Sequence, residues 1–439
     1  MRLYDSPLTL SLPTRPGSPR ILFKILPLTS SLRLETFMDS SPLSPKRIAL
    51  FTGAYNHIAD GVSLTLNRLV DYLEQQGAEV LVFAPTIKNP PIDHAGTLVA
   101  APSVRMPLPN RAEYRLTTHF PRRIRKALDD FKPSIIHIAS PDRLGQGALK
   151  YGQKNDIPVV STYHTHFSSY LSYYKLDFLE NWFWGYLRNF YEACEEVYVP
   201  SESMIDVLET HGIADNLHLW ERGVVTERFN PGRRSMDWRR DLGIADDEVV
   251  ISFISRLVWE KGLDIYAEVL EGLDKKGIAH RSLVVGDGPA RAELEKRLPN
   301  TLFLGHQGGN DLATAYASSD IFLFPSETET FGNVTLEAMA SGIPPVCANA
   351  TGSRSLIRDG VTGFLAPPRN GAAFLKYVEQ LVTNKALREK MGQLSLKRAQ
   401  AYDWPVILKK MDDYYSRVIN KHRVDRQAKI DQQYASTGA

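Results

Sequence analysis

Ser326-Glu-Thr-Glu329-Thr-Phe-Gly332-Asn-Val-Thr-Leu-Glu337 sets two carboxylates eight residues apart, with a Phe-Gly-Asn turn between them. Asn333 is a residue type that caps helix starts, Val334 to Ala340 read as a short helix, and Gly342 fits its C-terminal stop. Glu329 then lies in the loop before the helix, and Glu337 projects from its second turn. The free N–H groups around Gly332 to Thr335 point outward with the positive end of the helix dipole. Such a start takes a diphosphate, while a carboxylate on either side accepts hydrogen bonds from hydroxyls. A sugar nucleotide carries those groups in that order, which makes Phe331, Gly332, Asn333, Val334 and Glu337 candidate donor-binding residues. A merely solvated helix face is the alternative for two carboxylates so placed.

Working outward, Phe253-Ile-Ser-Arg256-Leu-Val-Trp-Glu-Lys261-Gly262 is a buried-strand pattern ending in a loop with two cations five residues apart. Strand ends of open parallel sheets are where ligands bind, and guanidinium and ammonium groups there can neutralise a departing diphosphate. Leu283-Val-Val-Gly286-Asp-Gly288-Pro is another strand running into a glycine turn, one that lets a ligand approach the backbone or that simply turns. In the first half, Gly61 follows the strand 47–52, where a small residue would let N–H groups meet the diphosphate from the opposite side. His164 and His166 follow the strand 158–162 and reach the same cleft.

Strand and helix patterns alternate throughout, which predicts α/β architecture with parallel sheets. Strands are expected at 47–52, 79–84, 98–101, 135–139, 158–162 and 196–199, then at 249–254, 282–286, 301–304, 321–324, 344–347 and 363–366. The alternation breaks at a hinge over about 219–230. The expected organisation is an extension at 1–45, a first domain at 46–220, a donor domain at 221–403, a helix at 404–422 and a flexible tail at 423–439. Residues 1–45, rich in Ser, Pro, Leu and Arg, show no sustained periodicity; they read as a stretch upstream of a start at Met38, or as a transit peptide.

Ser255-Arg256…Glu260-Lys261-Gly262, Gly286-Asp-Gly288-Pro and Glu329-x-Phe-Gly-x-x-x-x-Glu337-Ala-Met-Ala-x-Gly-x-Pro resemble the family 4 retaining glycosyltransferases, from about Lys46 to about Tyr415. Arg47-Ile-Ala-Leu-Phe…Asp60-Gly61-Val-Ser and Ile136-His-Ile-Ala-Ser-Pro…Gly145 are most similar to the branch of bacterial α-mannosyltransferases and sulfoquinovosyl- or glycosyl-diacylglycerol synthases. The resemblance implies a GT-B fold, two Rossmann-like domains facing a cleft, with a last helix crossing back to the first domain. It implies that Arg256 and Lys261 hold the donor diphosphate, Glu337 the ribose and Glu329 the transferred sugar. His164 would stand beside donor sugar and acceptor hydroxyl, and His166 would contact acceptor. It also implies retention of configuration, by front-face attack in which the leaving phosphate takes the acceptor's proton.

Composition bounds the class. The 439 residues suffice for two domains with full cores, and no run of 18 apolar residues marks a membrane span. Two cysteines, Cys194 and Cys347, fit a reducing cytosol, and a net charge of +2 is too small for nucleic-acid binding to dominate. No Asp-x-Asp or zinc-type Cys/His cluster is present, so no metal is expected. Arg105, Arg111, Arg115, Arg122, Arg123, Arg125 and Lys126 alternate with apolar residues, as suits an anionic membrane surface or a solvated helix face. Phe167 to Tyr191 is crowded with aromatics, Tyr170 among them, which could line an acceptor groove, dip into the interface or pack as core.

The reading is a metal-independent hexosyltransferase, cytoplasmic and peripheral on the inner face of the plasma membrane. It would use a UDP- or GDP-sugar donor and a lipid acceptor such as diacylglycerol or a glycolipid. Alternatives are a saccharide or polyprenyl-linked acceptor, a sugar-nucleotide epimerase or hydrolase, and a catalytically silent binder.

Overall fold

A computed structural model describes residues 45–58, 60–106, 114–164 and 180–437. In chain order the first half gives strands β1 (Arg47–Phe51), β2 (Glu79–Ala84), β3 (Thr97–Ala100), β4 (Ser103–Arg105), β5 (Arg115–Thr117), β6 (Ile135–Ile138), β7 (Val159–Thr162), β8 (Glu196–Val199) and β9 (Leu217–Leu219). Strands β4 and β5 pair as an antiparallel hairpin. The other seven form one sheet in the order 3-2-1-6-7-8-9, with every pairing parallel. Its strands are apolar runs because helices cover both faces: Ile48, Ala49, Leu50 and Phe51 are all buried.

The second half repeats the plan with β10 (Val250–Ile254), β11 (Arg281–Val285), β12 (Leu302–Phe303), β13 (Ile321–Phe324), β14 (Pro345–Ala348) and β15 (Phe364–Ala366). This sheet is also parallel, in the order 12-11-10-13-14-15. Strand order reverses between β1 and β6 in one sheet and between β10 and β13 in the other. Loops at the carboxyl ends of those strands therefore flank a crevice. Residues from Pro45 onward form one compact unit that contains both sheets.

The first connecting helix, Gly61–Gln75, starts where Asp60 caps it: Asp60 Oδ1 accepts from Val62 N at 3.1 Å and Ser63 N at 2.9 Å, and Ser63 Oγ accepts from Asp60 N at 3.0 Å. Its Leu66, Leu69, Val70 and Leu73 bury one stripe against the sheet. The last helix, Trp404–Thr437, returns to the same face and adds Trp404, Ile407, Leu408, Met411, Tyr415 and Val418 to that core. Buried His137 on β6 fixes the crossing, with Nδ1 2.6 Å from the Tyr415 hydroxyl and Nε2 against the Thr162 hydroxyl. The helix continues through Thr437, exposed over most of its last turns, where the sequence predicts a flexible tail from residue 423.

The expected strands are present to within a residue or two of their predicted bounds. Periodicity does not predict β4, β5 or β9, each of three residues, because so short a run cannot establish alternation. Strand β9 ends where the hinge was expected to begin. Beyond it Val224 bridges to Asp403, so the two passages between the sheets lie side by side.

Candidate active site

The loops after β10 and β13, the pair at which strand order reverses, carry the central charges. Lys261 ends the short turn Trp259–Lys261, and Gly262 follows at φ +76°. A Cβ on Gly262 would lie 2.8 Å from the Pro325 carbonyl, so glycine alone lets this turn seat on the β13 loop. That seating brings the Lys261 ammonium onto Glu329 Oε1, with the Ser326 hydroxyl 3.4 Å from the same oxygen. Both charged side chains are about one-fifth exposed. Arg256 stands earlier in the same β10 loop, exposed, its guanidinium free of ion pairs and hydrogen bonds to any described residue.

The helix carrying Glu337 spans Asn333–Ala340, and its cap is Gly332 at φ +98°, not Asn333. Left-handed backbone at Gly332 replaces the expected Asn cap, no side chain caps the first N–H groups, and Asn333 is exposed. The Phe331 side chain is buried against Tyr402, and the half-buried Val334 packs on the second domain's core. Gly352, at φ +85°, supports the loop from behind: a Cβ there would lie 2.7 Å from the Glu329 carbonyl oxygen and 2.9 Å from that of Phe331.

Glu337 is half-buried, and burial pushes its carboxyl up to about 7 against the opposing pull of the neighbouring Tyr316 hydroxyl, Arg68 and Arg228. Arg68 comes from the first domain's Gly61–Gln75 helix, its guanidinium 4.9 Å from the Trp404 ring centre. Gly61 opens that helix, and a Cβ on it would meet Asn333 Nδ2 at 3.7 Å. Two helix starts, one from each domain, thus face each other across the crevice.

Gly286 and Gly288 follow β11 and pack against the β10 loop. A Cβ on Gly286 would fall 1.9 Å from Ser255 O, and one on Gly288 2.3 Å from Leu257 O. Their lack of side chains lets the β11 turn pack on the Arg256 loop, as the turn reading expects. They position Arg256 from behind.

His164 lies just past β7. Its Nδ1 is 2.8 Å from Arg222 Nη2, and its buried Nε2 has no partner among the described residues. Burial, with the nearby charge of Arg222, holds its pKa well below the ordinary range. The domains also touch directly: Ser201 Oγ donates to the Thr330 carbonyl at 2.7 Å, Gly352 N donates to Ser203 Oγ at 3.1 Å, and Arg354 pairs with Asp206. His166 and Tyr170 lie outside the described residues, as does Arg111 of the basic stretch.

Arg122, Arg123, Arg125 and Lys126 are exposed on the helix Arg122–Phe131, which buries Ile124 and Leu128. Arg123 donates to the Ala100 carbonyl at 2.9 Å and Lys126 pairs with Asp130, leaving Arg122 and Arg125 the freer charges. Arg105 and Arg115 are cross-strand neighbours in the β4–β5 hairpin, beside exposed Val104 and Leu116. The described part of the aromatic segment is mostly core: Trp184, Phe190 and Tyr191 are buried from the helix Glu180–Glu192, while Trp182 is 70% exposed.

Sequence reasoning missed Arg222, Gly352, Tyr316 and Arg68. Arg222 leaves one signal, a charged residue inside the Trp220-to-Val224 break in the alternation. Among the described residues, no three His, Cys, Asp or Glu side chains gather as a metal site would require, and no helix is long and apolar enough to cross a membrane.

Two parallel-sheet domains with a charged crevice between opposed helix starts and a returning C-terminal helix make this a GT-B glycosyltransferase. Residues 59–228 match Glycosyltransferase Family 4 and residues 235–398 match Glycosyl transferases group 1. The chain belongs to this family. It is 30% identical over 385 residues to a GDP-mannose-dependent alpha-mannosyltransferase of Corynebacterium glutamicum, covering 86% of this chain and 90% of that one. It is 33% identical over 394 residues to the sulfoquinovosyl transferase of Arabidopsis thaliana, covering 87% and 76%. An alpha-monoglucosyldiacylglycerol synthase of Streptococcus pneumoniae is 28% identical over 338 residues, covering 73% and 75%. Sucrose-phosphate synthase from Thermosynechococcus elongatus superposes with a TM-score of 0.70 at 20% identity, covering 86% of this chain and all of that one. Anabaena HepE, solved with UDP, superposes with a TM-score of 0.67 at 18% identity, covering 84% and 99%. At such identities the two solved structures speak for the fold alone.

Proposed function

We propose that this chain is a retaining hexosyltransferase that moves a sugar from a UDP- or GDP-linked donor to a membrane lipid such as diacylglycerol or a glycolipid. The observation that carries the reading is the Lys261–Glu329 pair at the second sheet's switch point, beneath two opposed helix starts. A diphosphate in that crevice meets the uncapped N–H groups of the Asn333–Ala340 helix, Lys261 and the unpaired Arg256. Glu337 accepts from ribose hydroxyls, and Glu329 from a hydroxyl of the transferred sugar.

Glycosyl transfer passes through a state that is positive at the sugar and negative at the departing diphosphate. Arg256, Lys261 and the helix dipoles stabilise the second charge without reorganising. This reading asks no metal of the protein, and activity is expected to survive a chelator. The leaving phosphate takes the acceptor's proton on the face where the new bond forms, which retains configuration.

The diacylglycerol acceptor of the Streptococcus relative and the exposed Arg122, Arg125, Val104 and Leu116 support lipid as acceptor and peripheral attachment at an anionic surface. A saccharide or polyprenyl-linked acceptor is the second reading, favoured by the burial of Trp184, Phe190 and Tyr191. The test incubates the purified chain with diacylglycerol liposomes and a panel of UDP- and GDP-sugars, and reads the lipids by mass. A glycosylated lipid is expected. Intact donors would move the acceptor to a saccharide, and free sugar alone would favour a hydrolase.

A further inference from the structure

His164 and Arg222 are 58 residues apart in sequence, yet Arg222 Nη2 lies 2.8 Å from His164 Nδ1. A guanidinium has donors only, so Nδ1 must be the acceptor, and the ring's proton sits on Nε2. That nitrogen is buried with no partner among the described residues, although a buried N–H ordinarily finds one. Arg222 cannot easily move. It is 6% exposed, its Nη1 donates to the Trp220 carbonyl at 3.0 Å and the Glu221 carbonyl at 3.3 Å, and its guanidinium stacks 4.8 Å from the Trp220 ring centre. Trp220 is itself held, its indole N–H donating to the Ile407 carbonyl of the returning helix at 3.1 Å. The His164 ring also sits edge-on to Trp220, with centroids 6.3 Å apart.

We propose that Arg222 is a positioning residue that locks His164 as the neutral tautomer with its proton on Nε2, making that nitrogen a fixed hydrogen-bond donor to a substrate oxygen in the cleft. The inference rests on the glycosyltransferase reading above and deepens it. A ring so held cannot take the acceptor's proton, because its only basic nitrogen already accepts from Arg222. Its Nε2–H instead serves an oxygen lone pair, either on a hydroxyl of the transferred sugar or on the leaving phosphate. The proton released by the acceptor must then go elsewhere, consistent with its transfer to the departing phosphate. Burial, and after it the positive charge of Arg222, oppose protonation of the ring, which keeps it neutral through the physiological range.

The test labels histidine nitrogens in the full chain and records ring couplings by NMR between pH 5.5 and 8 (a range on the order of the ordinary histidine titration). The His164 signal is assigned by its loss in His164→Gln. The wild type is expected to show an Nε2–H pattern that does not titrate. Arg222→Met should let the ring exchange tautomers and titrate, and should lower kcat for glycosyl transfer at least tenfold. Arg222→Lys keeps a donor and should restore both the pattern and part of kcat. A wild-type Nδ1–H pattern overturns the proposal outright, even if Arg222→Met does not fold. An unchanged pattern and kcat in a folded Arg222→Met would do the same. No turnover with any donor would count against the glycosyltransferase reading instead, since the tautomer is read without substrate.

Discussion

Replacing Lys261 with Ala separates two things its ammonium does. In the free protein it satisfies Glu329, in a pair whose side chains are 20% and 18% exposed. Exposed pairs contribute about 0.2–1 kcal/mol, and breaking a fully buried one costs about 3–5 kcal/mol, so this half-buried pair should cost about 1–2 kcal/mol of stability. Ser326, 3.4 Å from the same oxygen, replaces part of the loss. In the proposed reaction the ammonium would face charge that grows only as the glycosidic bond breaks. Loss of one such preorganised group lowers kcat by roughly 10²–10³, or about 2.7–4 kcal/mol. The assay is steady-state kinetics with the donor found active in the liposome screen, alongside urea unfolding. Lys261→Ala should keep its fold, lose kcat by that factor and change the donor KM by only a few-fold. Glu329→Gln frees the same ammonium yet should also be slow, because the transferred sugar loses its acceptor. Unchanged kcat with a raised KM in Lys261→Ala would refute a transition-state role and leave only ground-state binding.

Gly352→Ala should displace the Glu329 loop, since the added carbon meets carbonyl oxygens at 2.7–2.9 Å; activity is expected to fall at least tenfold (roughly 1.4 kcal/mol) in a folded protein, and full activity would show that the loop can yield. Arg122→Ser with Arg125→Ser should weaken sedimentation with anionic vesicles by about 2 kcal/mol, whereas Arg123→Ser should do less because that side chain is tied to Ala100. Donor affinity should rise with pH through about 7, as the Glu337 carboxyl ionises and becomes a pure acceptor; a flat profile in isothermal titration between about pH 6 and 8 would remove it from ribose binding. His137, held down to about 3 by burial and by Arg222, stays neutral in the fold while the unfolded chain takes up a proton below about 6.5. Its contribution is therefore intact above about pH 6.5 and lost toward pH 3, by about 2 kcal/mol at pH 5; urea midpoints in His137→Gln should fall less steeply with acid.

The sheets were legible because their strands are largely apolar runs such as Ile321–Phe324, and Arg256, Lys261 and Glu329 stand out as charges in the loops that follow strands. What escaped reading depends on contacts remote in sequence. The Lys261–Glu329 pair spans 68 residues and exists because Gly262 seats on Pro325. No local pattern records that. Gly286 and Gly288 were visible as glycines, but their reason, the backbone of Ser255 and Leu257, was not. The cap at Gly332 was misread because Asn333 is the better side-chain cap, while the backbone there demands the residue that tolerates φ +98°. The aromatics near Trp184 fitted a groove, an interface or a core equally in sequence, and the core beneath that helix takes Trp184, Phe190 and Tyr191 from several turns at once.

The returning helix also bears on biosynthesis. Leu66, Leu69 and Val70 of the first domain share a core with Ile407, Leu408 and Met411, which are made only after all of the second domain. A chain emerging from the ribosome therefore carries an uncovered apolar groove on its first domain through the synthesis of the second. Domain-by-domain folding during synthesis is incomplete for such a topology, and the nascent first domain should engage hydrophobic-surface chaperones until the final segment docks.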